Sequence, residues 1–488
     1  MKTPQSPFLK GKLTEGSISS HLLKLSIPML LVRFAFIAFN IVDTYFVAQL
    51  GTDKLAAMSF TFPAVMIIGS LALGIGNGAG LVIARVIGEG DRSKLQRTIT
   101  DSLMLSIVIA SIVIFITLVT IDPLFTVIGA EPDIIPLIRE YIEIIYLGSM
   151  FLFVSAIANN AIRASGNAML LGLIGMSSTA INLVLDPFLI FGWGFFPRLE
   201  LRGAALATVI AQAITLIMAL TILYREGTIV FNLPPLRKAF QSWKEILHLA
   251  IPSVASNAIK PIYLGLITSM VAVYGKNAVA GFGIASRVEL LVMIVFSALA
   301  ASMGPIVGQN WGAGKLARIN RALLFSSKVC LIWGIFMTLI LAFVSPNLAS
   351  LFDHNVEVLS VVATYFAIVP ISYAAFGVIQ ICSTTFNAIG RALPPVAMTI
   401  VQAFVIFAPL AAIGDKLWEI QGIFLAICLS NLLIGIGCFV WNRRTLHLAA
   451  ASLRHCPDIK NQKDDEAGTV DEKIGLIGRQ NQLNAPRK

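Results

Sequence analysis

The stretch FNIVDTYFVAQLG, residues 39–51, places a single carboxylate inside a long apolar run. The run extends from residue 27 to residue 50 and is interrupted only by Arg33, Asn40 and a few small polar residues. A run of this length predicts a membrane-spanning helix, since about 20 apolar residues cross the hydrocarbon core. An ionised carboxylate at that depth costs about 2.5–3.5 kcal/mol. Asp43 should therefore be neutral, paired with another group, or in contact with water.

The composition extends the membrane prediction to the whole chain. Of the 488 residues, 57% are hydrophobic and 13% are charged, and the mean hydropathy is +0.84. Soluble globular domains carry about 25% charged residues. The polar residues 1–24 lack the short apolar core and cleavage site of a signal peptide, so we expect the first span to be retained.

Apolar segments long enough to cross a bilayer recur twelve times along the chain. They cover residues 26–50, 55–84, 99–121, 136–163, 168–191, 202–225, 247–272, 281–308, 324–346, 360–387, 394–415 and 421–443. The fold class that they predict is an all-α membrane protein of two six-helix lobes. The N-lobe covers 26–225, a polar inter-lobe loop covers 226–246, and the C-lobe covers 247–443. Residues 1–25 are the expected cytoplasmic N-terminus, and the polar tail 444–488 is expected to be disordered.

The distribution of basic residues predicts the orientation of the spans. If the N-terminus is cytoplasmic, the loops on that side and the residues that flank the first and last spans carry 20 Lys and Arg residues, whereas the opposite loops carry 7. Loops rich in Lys and Arg stay in the cytoplasm, so we expect both termini there. The same distribution accounts for the formal net charge of +10, and membrane lipid rather than nucleic acid is the expected partner.

The two halves of the sequence repeat at one constant offset, without gaps. GEGDRSKLQR at 88–97 falls on GAGKLARINR at 312–321, and at the same offset Tyr141 falls on Tyr365. Each half contains six predicted spans, an even number, so both halves enter the membrane from the same side. Parallel repeats related by an axis along the membrane normal are typical of a two-lobed transporter with a cavity between the lobes.

Polar residues inside the predicted spans gather in the N-lobe. Asp43 of the first span, Asp186 of the fifth and Thr208 of the sixth should each lie about 7–11 Å inside the outer edge. Asn182 precedes Asp186 by one helical turn and shares its face. Two neighbouring carboxylates in apolar surroundings favour protonation of at least one of them, as a proton carrier requires. The equivalent C-lobe positions of both acids are aliphatic, which favours a site over a structural acid cluster, the alternative.

These motifs together resemble the multidrug and toxic compound extrusion (MATE) family. The resemblance covers residues 20–445 and is carried by the following features: IVDTYFVAQLG at 41–51, an Ile-Pro pair at the start of both halves, G-x-G loops after the second and eighth spans, and LDPFLIFG at 185–192. It implies a twelve-helix antiporter, not an enzyme, in a prokaryotic inner membrane. Such an antiporter exports cationic amphiphilic drugs in exchange for H+ or Na+.

The resemblance also suggests which residues couple transport to a cation. The N-lobe cluster resembles the cation site of the DinF-like prokaryotic branch. Asn159 and Asn160 lie where that branch has asparagines in the fourth span, and either of the two could match. The NorM-like branch has a glutamate in the seventh span and an aspartate in the tenth. Here the seventh span carries Lys260 and the tenth has no acid, so a C-lobe cation site of that type is not expected.

A substrate cavity between the lobes would offer aromatic and sulfur surface to flat cations. Lys260 either lines this cavity or extends its ammonium group toward water. The other residues that we expect to line the cavity are Phe36, Phe39, Met66, Tyr263 and Tyr373.

Other motifs have simpler explanations. GIGNGAG at 74–80 imitates a nucleotide-binding loop, but it lies in an apolar helix without a preceding strand, so close helix packing is favoured. No G-x-x-x-x-G-K-[ST] motif occurs, so coupling to ATP is not expected. The five histidines and five cysteines are too scattered to indicate a metal site or disulfides. We therefore expect no catalytic residues, no metal and no cofactor, and a monomer.

Three other functions remain open at this stage. A lipid-linked precursor flippase of the related superfamily would have more spans and a more cationic cavity. A facilitator or channel would need no titratable cluster. A membrane receptor or scaffold would have no need of a parallel repeat with buried acids. Dependence of substrate movement on a proton gradient distinguishes the antiporter from these alternatives, and the sequence leaves open both the substrate and the choice of H+ or Na+.

Overall fold

The computed structural model of the chain describes residues 13–127, 132–194, 196–229, 236–349 and 355–454. The predicted N-terminus up to residue 12 and the predicted tail from residue 455 lie outside the described residues. The chain forms two compact units, of which the first ends at Asn442 and contains both lobes. Of the second unit, the structure describes residues 443–454, which are helical. The prediction of a disordered tail from residue 444 is therefore wrong for residues 444–454, which continue α14.

Every secondary-structure element of the N-lobe within the described residues is a helix. They are α1 (Ile18–Ala48), α2 (Thr52–Glu89), α3 (Arg92–Val119), α4 (Ile121–Val127), α5 (Ile135–Ala164), α6 (Ala168–Phe191) and α7 (Glu200–Arg225). The short α4 follows α3 directly, so the seven helices make six spans. Each span matches a predicted apolar segment to within a few turns at its ends.

The C-lobe is built in the same way. Its helices are α8 (Leu236–Ala272), α9 (Lys276–Gly312), α10 (Leu316–Ala349), α11 (Val356–Ile368), α12 (Tyr373–Ala388), α13 (Leu393–Ile400) and α14 (Ala408–Arg454). A 3₁₀ segment, Val369–Ser372, joins α11 to α12, and a π-helical segment, Val401–Phe407, joins α13 to α14.

A sharp backbone break divides α14 into the last two spans. Trp418 and Glu419 leave helical geometry there, and Glu419 has a positive φ of 51°. On either side of the break, the backbones of Gly414 and Gly422 touch each other, so the chain folds back on itself at this point. With this division the described residues form twelve spans in two lobes, as the sequence predicts.

The predicted inter-lobe loop is shorter in the structure than in the prediction. Helix α8 already begins at Leu236, within the stretch 226–246 that its polar composition assigned to a loop. Apolar side chains recur there every three or four residues, and Ala239 and Ile246 are buried while Phe240 is exposed. This is the pattern of an amphipathic helix, which a count of polar residues alone does not reveal.

The glycine-rich stretch of α2 packs against two helices at once. A Cβ on Gly74 or Gly78 would clash with Val254 or Ala250 of α8, and one on Gly76 would clash with the backbone of α5. The interpretation of GIGNGAG as a helix-packing motif is therefore confirmed. Helix α2 lies between its own lobe and the C-lobe, and only small residues permit both close approaches.

The lobes are joined at the end of the molecule where α2 and α9 terminate, which we call the basic end. There the Oγ atoms of Ser26 and Ser302 are 3.0 Å apart, and Gln309 of α9 donates to the main-chain carbonyl of Ala164 at 2.6 Å. Arg85 of α2 donates to two main-chain carbonyls at the end of α12. These hydrogen bonds between the lobes all lie toward the same end, so the structure is closed there.

A short segment before α1, residues 13–16, is bound at the basic end through its backbone. Arg318 of α10 donates to three main-chain carbonyls of this segment at 2.9–3.1 Å. Lys315 donates to a fourth carbonyl at 3.1 Å, and Gln309 accepts from the Leu13 amide at 3.2 Å. The segment thereby ties the start of the N-lobe to two helices of the C-lobe.

Candidate functional site

Two carboxylates lie inside the N-lobe, near the end opposite to the basic end. Asp43 lies five residues before the end of α1, and Asp186 lies five residues before the end of α6. At 1.5 Å per residue, both are about 8 Å inside their helix ends. Asp186 is fully buried and Asp43 is 7% exposed. They are close enough to interact electrostatically.

The amide of Asn182 and the hydroxyl of Thr208 hold the Asp186 carboxylate in place through hydrogen bonds. Asn182 lies one turn before Asp186, and its amide satisfies both neighbours when its nitrogen donates to Asp186 Oδ2 at 2.9 Å. The amide oxygen then accepts from Thr208 Oγ1 of α7 at 3.3 Å. This orientation follows from the hydrogen-bond network. It joins α6 to α7 through one carboxylate.

One oxygen of each carboxylate lacks a hydrogen-bond donor. Among the described atoms, Asp43 Oδ1 and Asp186 Oδ1 are buried and accept no hydrogen bond. Tyr141 of α5 lies within electrostatic range of both acids. Buried acceptors without donors are costly, and a proton or a small cation on these oxygens would satisfy them. Within the described residues, no group of three His, Cys, Asp or Glu side chains could hold a metal ion.

The two candidate asparagines of the fourth span lie elsewhere. Asn159 follows Tyr141 by 18 residues on α5, which places it about 27 Å further along the helix axis. Asn160 donates to the main chain of Ala156 at 2.7 Å and accepts from Arg163. The structure therefore does not bring Asn159 or Asn160 to the carboxylates. Sequence spacing could not show this, because the choice depended on a motif match alone.

Two arginines approach each other on the same side as Asn160. Arg163 donates to Asn77 Oδ1 of α2 at 2.8 Å, and Arg33 of α1 lies within its electrostatic range. Among the described residues, no carboxylate forms an ion pair with either guanidinium. The N-lobe thus carries acids near one end and basic groups nearer the other.

The predicted cavity residues fall into three groups. The side chains of Phe36, Phe39 and Lys260 lie outside the described part of the structure. Met66 is 43% exposed on α2, and Tyr263 of α8 is partly exposed, with its ring 5.0 Å from that of Phe407.

Tyr373 is fully buried in the C-lobe, so the prediction that it lines the cavity is wrong. A 3₁₀ helix has 3.0 residues per turn rather than 3.6. The segment Val369–Ser372 therefore rotates Tyr373 away from the face that it would occupy on a continuous α-helix.

Sequence reasoning missed one acid in the C-lobe. Glu289 lies in α9, the eighth span, and accepts a hydrogen bond from the hydroxyl of Tyr365 at 2.6 Å. The comparison with the NorM-like branch concerns only the seventh and tenth spans. A signal was present, because Tyr365 is the repeat equivalent of Tyr141, which neighbours the N-lobe acids.

Two six-helix halves that meet at one end, with buried acids inside a lobe, define a membrane transporter rather than an enzyme. The MatE family model matches residues 28–188 and again 252–413. The chain belongs to the multidrug and toxic compound extrusion (MATE) family. The two matches start at positions 28 and 252, which are related by the same offset as the internal repeat, and the repeat is thereby confirmed.

Known relatives and a solved structure agree with this assignment. The chain is 34% identical over 436 residues to a protein of Shewanella oneidensis named FAD transporter, covering 88% of this chain and 96% of that one. It is 28% identical to the probable multidrug resistance protein YoeA of Bacillus subtilis, covering 91% and 99%. The crystal structure of a MATE protein in the bent conformation superposes with a TM-score of 0.83 at 25% identity, covering 92% and 99%.

Proposed function

We propose that the protein is a secondary antiporter that exports cationic amphiphilic compounds in exchange for protons. The observation that carries this proposal is the pair Asp43 and Asp186, buried together with one unpartnered oxygen each. An acid pair held by Asn182 and Thr208 can take up a proton and release it without unfolding its surroundings. Intramembrane acids of this kind are functional by default.

Coupling follows because the proton and the substrate favour different protonation states of the same acid cluster. Protonation removes the negative charge that would otherwise attract a cationic substrate. The proton and the substrate therefore stabilise different states of the N-lobe. Asp43 stands on α1, Asp186 on α6, and Thr208 on α7, so a proton there changes the packing of three helices. Rocking of the two lobes then exposes the cavity to each side in turn.

The orientation belongs to the same proposal. The basic end carries most of the Lys and Arg residues of the loops and is therefore assigned to the cytoplasm. The inter-lobe contacts at this end support an outward-open state, with both termini in the cytoplasm of a bacterial cell. The acid pair lies toward the outer side, where the proton enters. We propose a monomer in the inner membrane, since each chain holds both lobes.

Transport in liposomes tests the proposal directly. We expect an imposed proton gradient to drive uptake of a fluorescent cation by the wild type, and Na+ not to replace it. Asp43→Asn and Asp186→Asn should each reduce proton-driven transport at least tenfold. Asp122→Asn is the matched control, because Asp122 is exposed and paired with Arg139 at the surface. Full proton-driven transport by both buried variants would contradict proton coupling at this pair.

A second candidate function is export of a flavin dinucleotide such as FAD. It is favoured by the S. oneidensis relative and by the guanidinium groups of Arg33 and Arg163, which lack carboxylate partners among the described residues. Two phosphates could bind there, as could the headgroup of a lipid-linked precursor in the flippase alternative. In the same liposomes, FAD transport that is lost in Arg163→Gln, without transport of the cation, would establish this function instead.

A further inference from the structure

The segment 13–16, just before α1, directs all four of its main-chain carbonyls toward basic side chains of the C-lobe. Three of the carbonyls accept hydrogen bonds from the Arg318 guanidinium at 2.9–3.1 Å, and the fourth, that of Thr14, accepts from Lys315 at 3.1 Å. If α1 began one turn earlier, its own amides would occupy these carbonyls. The non-helical backbone of the segment leaves them available for the two cations instead.

The guanidinium of Arg318 is held in the orientation that these bonds require. Its Nε atom donates to Oδ1 of Asn310 at 2.9 Å, and Asn310 is fully buried. The amide nitrogen of Asn310 in turn donates to the Leu13 carbonyl at 3.1 Å. Within the described residues, no carboxylate forms an ion pair with Arg318. The donors of Arg318 are therefore directed at main-chain and amide oxygens rather than at an acid.

The same segment contacts the N-lobe through a side chain. Leu13 is 3% exposed and packs against Gly166, where a Cβ would lie 3.2 Å from Cγ of Leu13. Gly166 belongs to the connection between α5 and α6. Gln309 of α9 accepts from the Leu13 amide and donates to the Ala164 carbonyl at the end of α5. The segment therefore lies at the junction of the lobes, with an N-lobe surface on one side and α9 and α10 on the other.

The internal repeat shows that the shared fold does not require this arrangement. By the alignment of the two halves, Arg318 falls on Lys94, and Lys94 pairs with Glu89 of its own lobe at 2.9 Å. The same offset places the counterpart of the segment within α8, where the chain is already helical. The bound segment is therefore an addition to the shared fold at the basic end.

We propose that the segment 13–16 is a latch that holds the basic end closed and is released when that end opens. The inference rests on the proposed function in that the lobes must part there during the transport cycle. The segment continues into α1 and stays with the N-lobe, whereas Arg318 and Lys315 move with the C-lobe. Opening therefore breaks the bonds to the carbonyls, and their strength biases the protein toward the outward-open state.

Labelling of a cysteine at the closed end measures the latch without any transport. Ser302 is 1% exposed, so a Ser302→Cys protein should react slowly with a maleimide, with the protein that lacks this cysteine as background. We expect Arg318→Gln to raise the labelling rate at least fivefold, because three carbonyls lose their donor. Arg321→Gln is the matched control, since it removes the same charge from an exposed position about one turn later on α10, and it should change the rate less than twofold. Unchanged labelling in Arg318→Gln would overturn the proposal.

A conservative variant separates the hydrogen bonds from the charge and guards against misfolding. Arg318→Lys keeps the charge but replaces the planar fork of donors with a single nitrogen. We expect the labelling rate to rise at least threefold while the protein remains folded. Labelling as slow as in the parent protein would show that a positive charge alone keeps the end closed, and the latch would be disproved.

A double-mutant cycle shows whether Arg318 acts through the segment. Gly16 has a positive φ of 72°, which a β-branched residue does not tolerate. Gly16→Val should therefore displace the carbonyls while leaving every charge in place. We expect this change to raise labelling about as much as Arg318→Gln, and the double variant to exceed either single variant less than twofold. A full fivefold effect of Arg318→Gln in the Gly16→Val protein would mean that the arginine acts elsewhere, against the proposal.

The latch and the proton coupling fail in different ways, because labelling requires neither a proton gradient nor a substrate. If labelling responds as expected but no gradient drives transport, the latch stands and the coupling proposal fails. If Asp43→Asn abolishes proton-driven transport while labelling does not depend on Arg318, the coupling stands and the latch fails.

Discussion

At the scale of single residues, the N-lobe site depends on one amide with two neighbours. Asn182 can donate to Asp186 and accept from Thr208 at the same time, so the position of the carboxylate depends on α7 as well as α6. The sequence predicts all three residues, because their depth along each span follows from helical rise alone. It could not exclude Asn159 or find Glu289, because depth does not say which helices face each other.

Removing the hydroxyl of Thr208 should slow transport without unfolding the protein. Thr208→Val keeps the shape but deprives Asn182 of a partner, a loss of about 1 kcal/mol. We expect proton-driven transport to fall about three- to tenfold, whereas Thr208→Ser should retain it. The control is Thr221→Val on the same helix, because the Thr221 hydroxyl bonds only to its own helix at Ile217. Equal rates in Thr208→Val and the wild type would show that the hydroxyl does not support the site.

At the scale of helices, an N-cap residue sets where α3 begins, and a glycine sets how closely α2 packs against α9. The composition of the chain predicts the spans because apolar length is sufficient for that purpose. It does not predict the helical start of α8, since there the apolar residues form one face instead of a continuous run. The π-helical segment also left no recognised signal, because it does not depend on hydropathy. The break within α14 did leave one, since Trp418 and Glu419 fall in the gap between the last two predicted spans, 394–415 and 421–443.

The first turn of α3 is stabilised by its N-cap residue, Asp91. The Asp91 carboxylate accepts from the Lys94 amide at 3.0 Å and from Ser93 at 2.9 Å, and the amide of Lys94 in particular lowers the pKa of Asp91. Asp91→Ala should therefore lower the free energy of unfolding by about 1 kcal/mol at pH 7.

The pH dependence of this effect has a definite sign. An acid whose pKa is lowered in the folded state stabilises the protein above its unfolded pKa of about 3.9, and that contribution is lost as the pH falls further. The difference between wild type and Asp91→Ala should shrink in thermal unfolding below about pH 4. A difference that stays constant down to pH 3 would show that the charge of Asp91 is not responsible.

Closure at the basic end requires glycine where α2 crosses α9. A Cβ on Gly88 would lie 2.2 Å from the main-chain oxygen of Gln309, so Gly88→Ala must push the helices apart. We expect maleimide labelling of a cysteine placed at Ser302, which is 1% exposed, to rise at least fivefold in this variant. Gly69→Ala on the same helix is the control, since nothing lies within 4 Å of that position. Unchanged labelling in Gly88→Ala would contradict the proposed role of this crossing.

At the scale of the whole molecule, the two lobes share one fold but differ in chemistry. The internal repeat predicts the lobes, their number of spans and their parallel relation, and the two family matches confirm its offset. The state of the molecule could not be predicted in this way. Which end of the cavity is closed depends on inter-lobe contacts, and a sequence that must adopt both states carries the contacts of each.

Locking the closed end should stop transport reversibly. The hydroxyl oxygens of Ser26 and Ser302 are 3.0 Å apart, so cysteines at both positions can form a disulfide with a sulfur–sulfur bond of about 2.05 Å. We expect oxidation of the double variant to lower transport at least tenfold and reduction to restore it. Each single variant serves as control. Full transport by the oxidised, cross-linked protein would show that the basic end does not open during the cycle.

The segment 13–16 has a consequence for how freely this part of the chain can vary. Arg318 and Lys315 bind its main-chain carbonyls, and every residue type supplies a carbonyl. The identity of the side chains at Thr14 and Glu15 is therefore almost unconstrained, whereas Leu13 is buried and Gly16 has a positive φ of 72° that favours glycine. The number of residues is fixed, because one inserted residue would move each carbonyl out of register with the side chain that binds it. Natural variation at Thr14 and Glu15 should appear as substitution, and the length of the segment should hardly ever change.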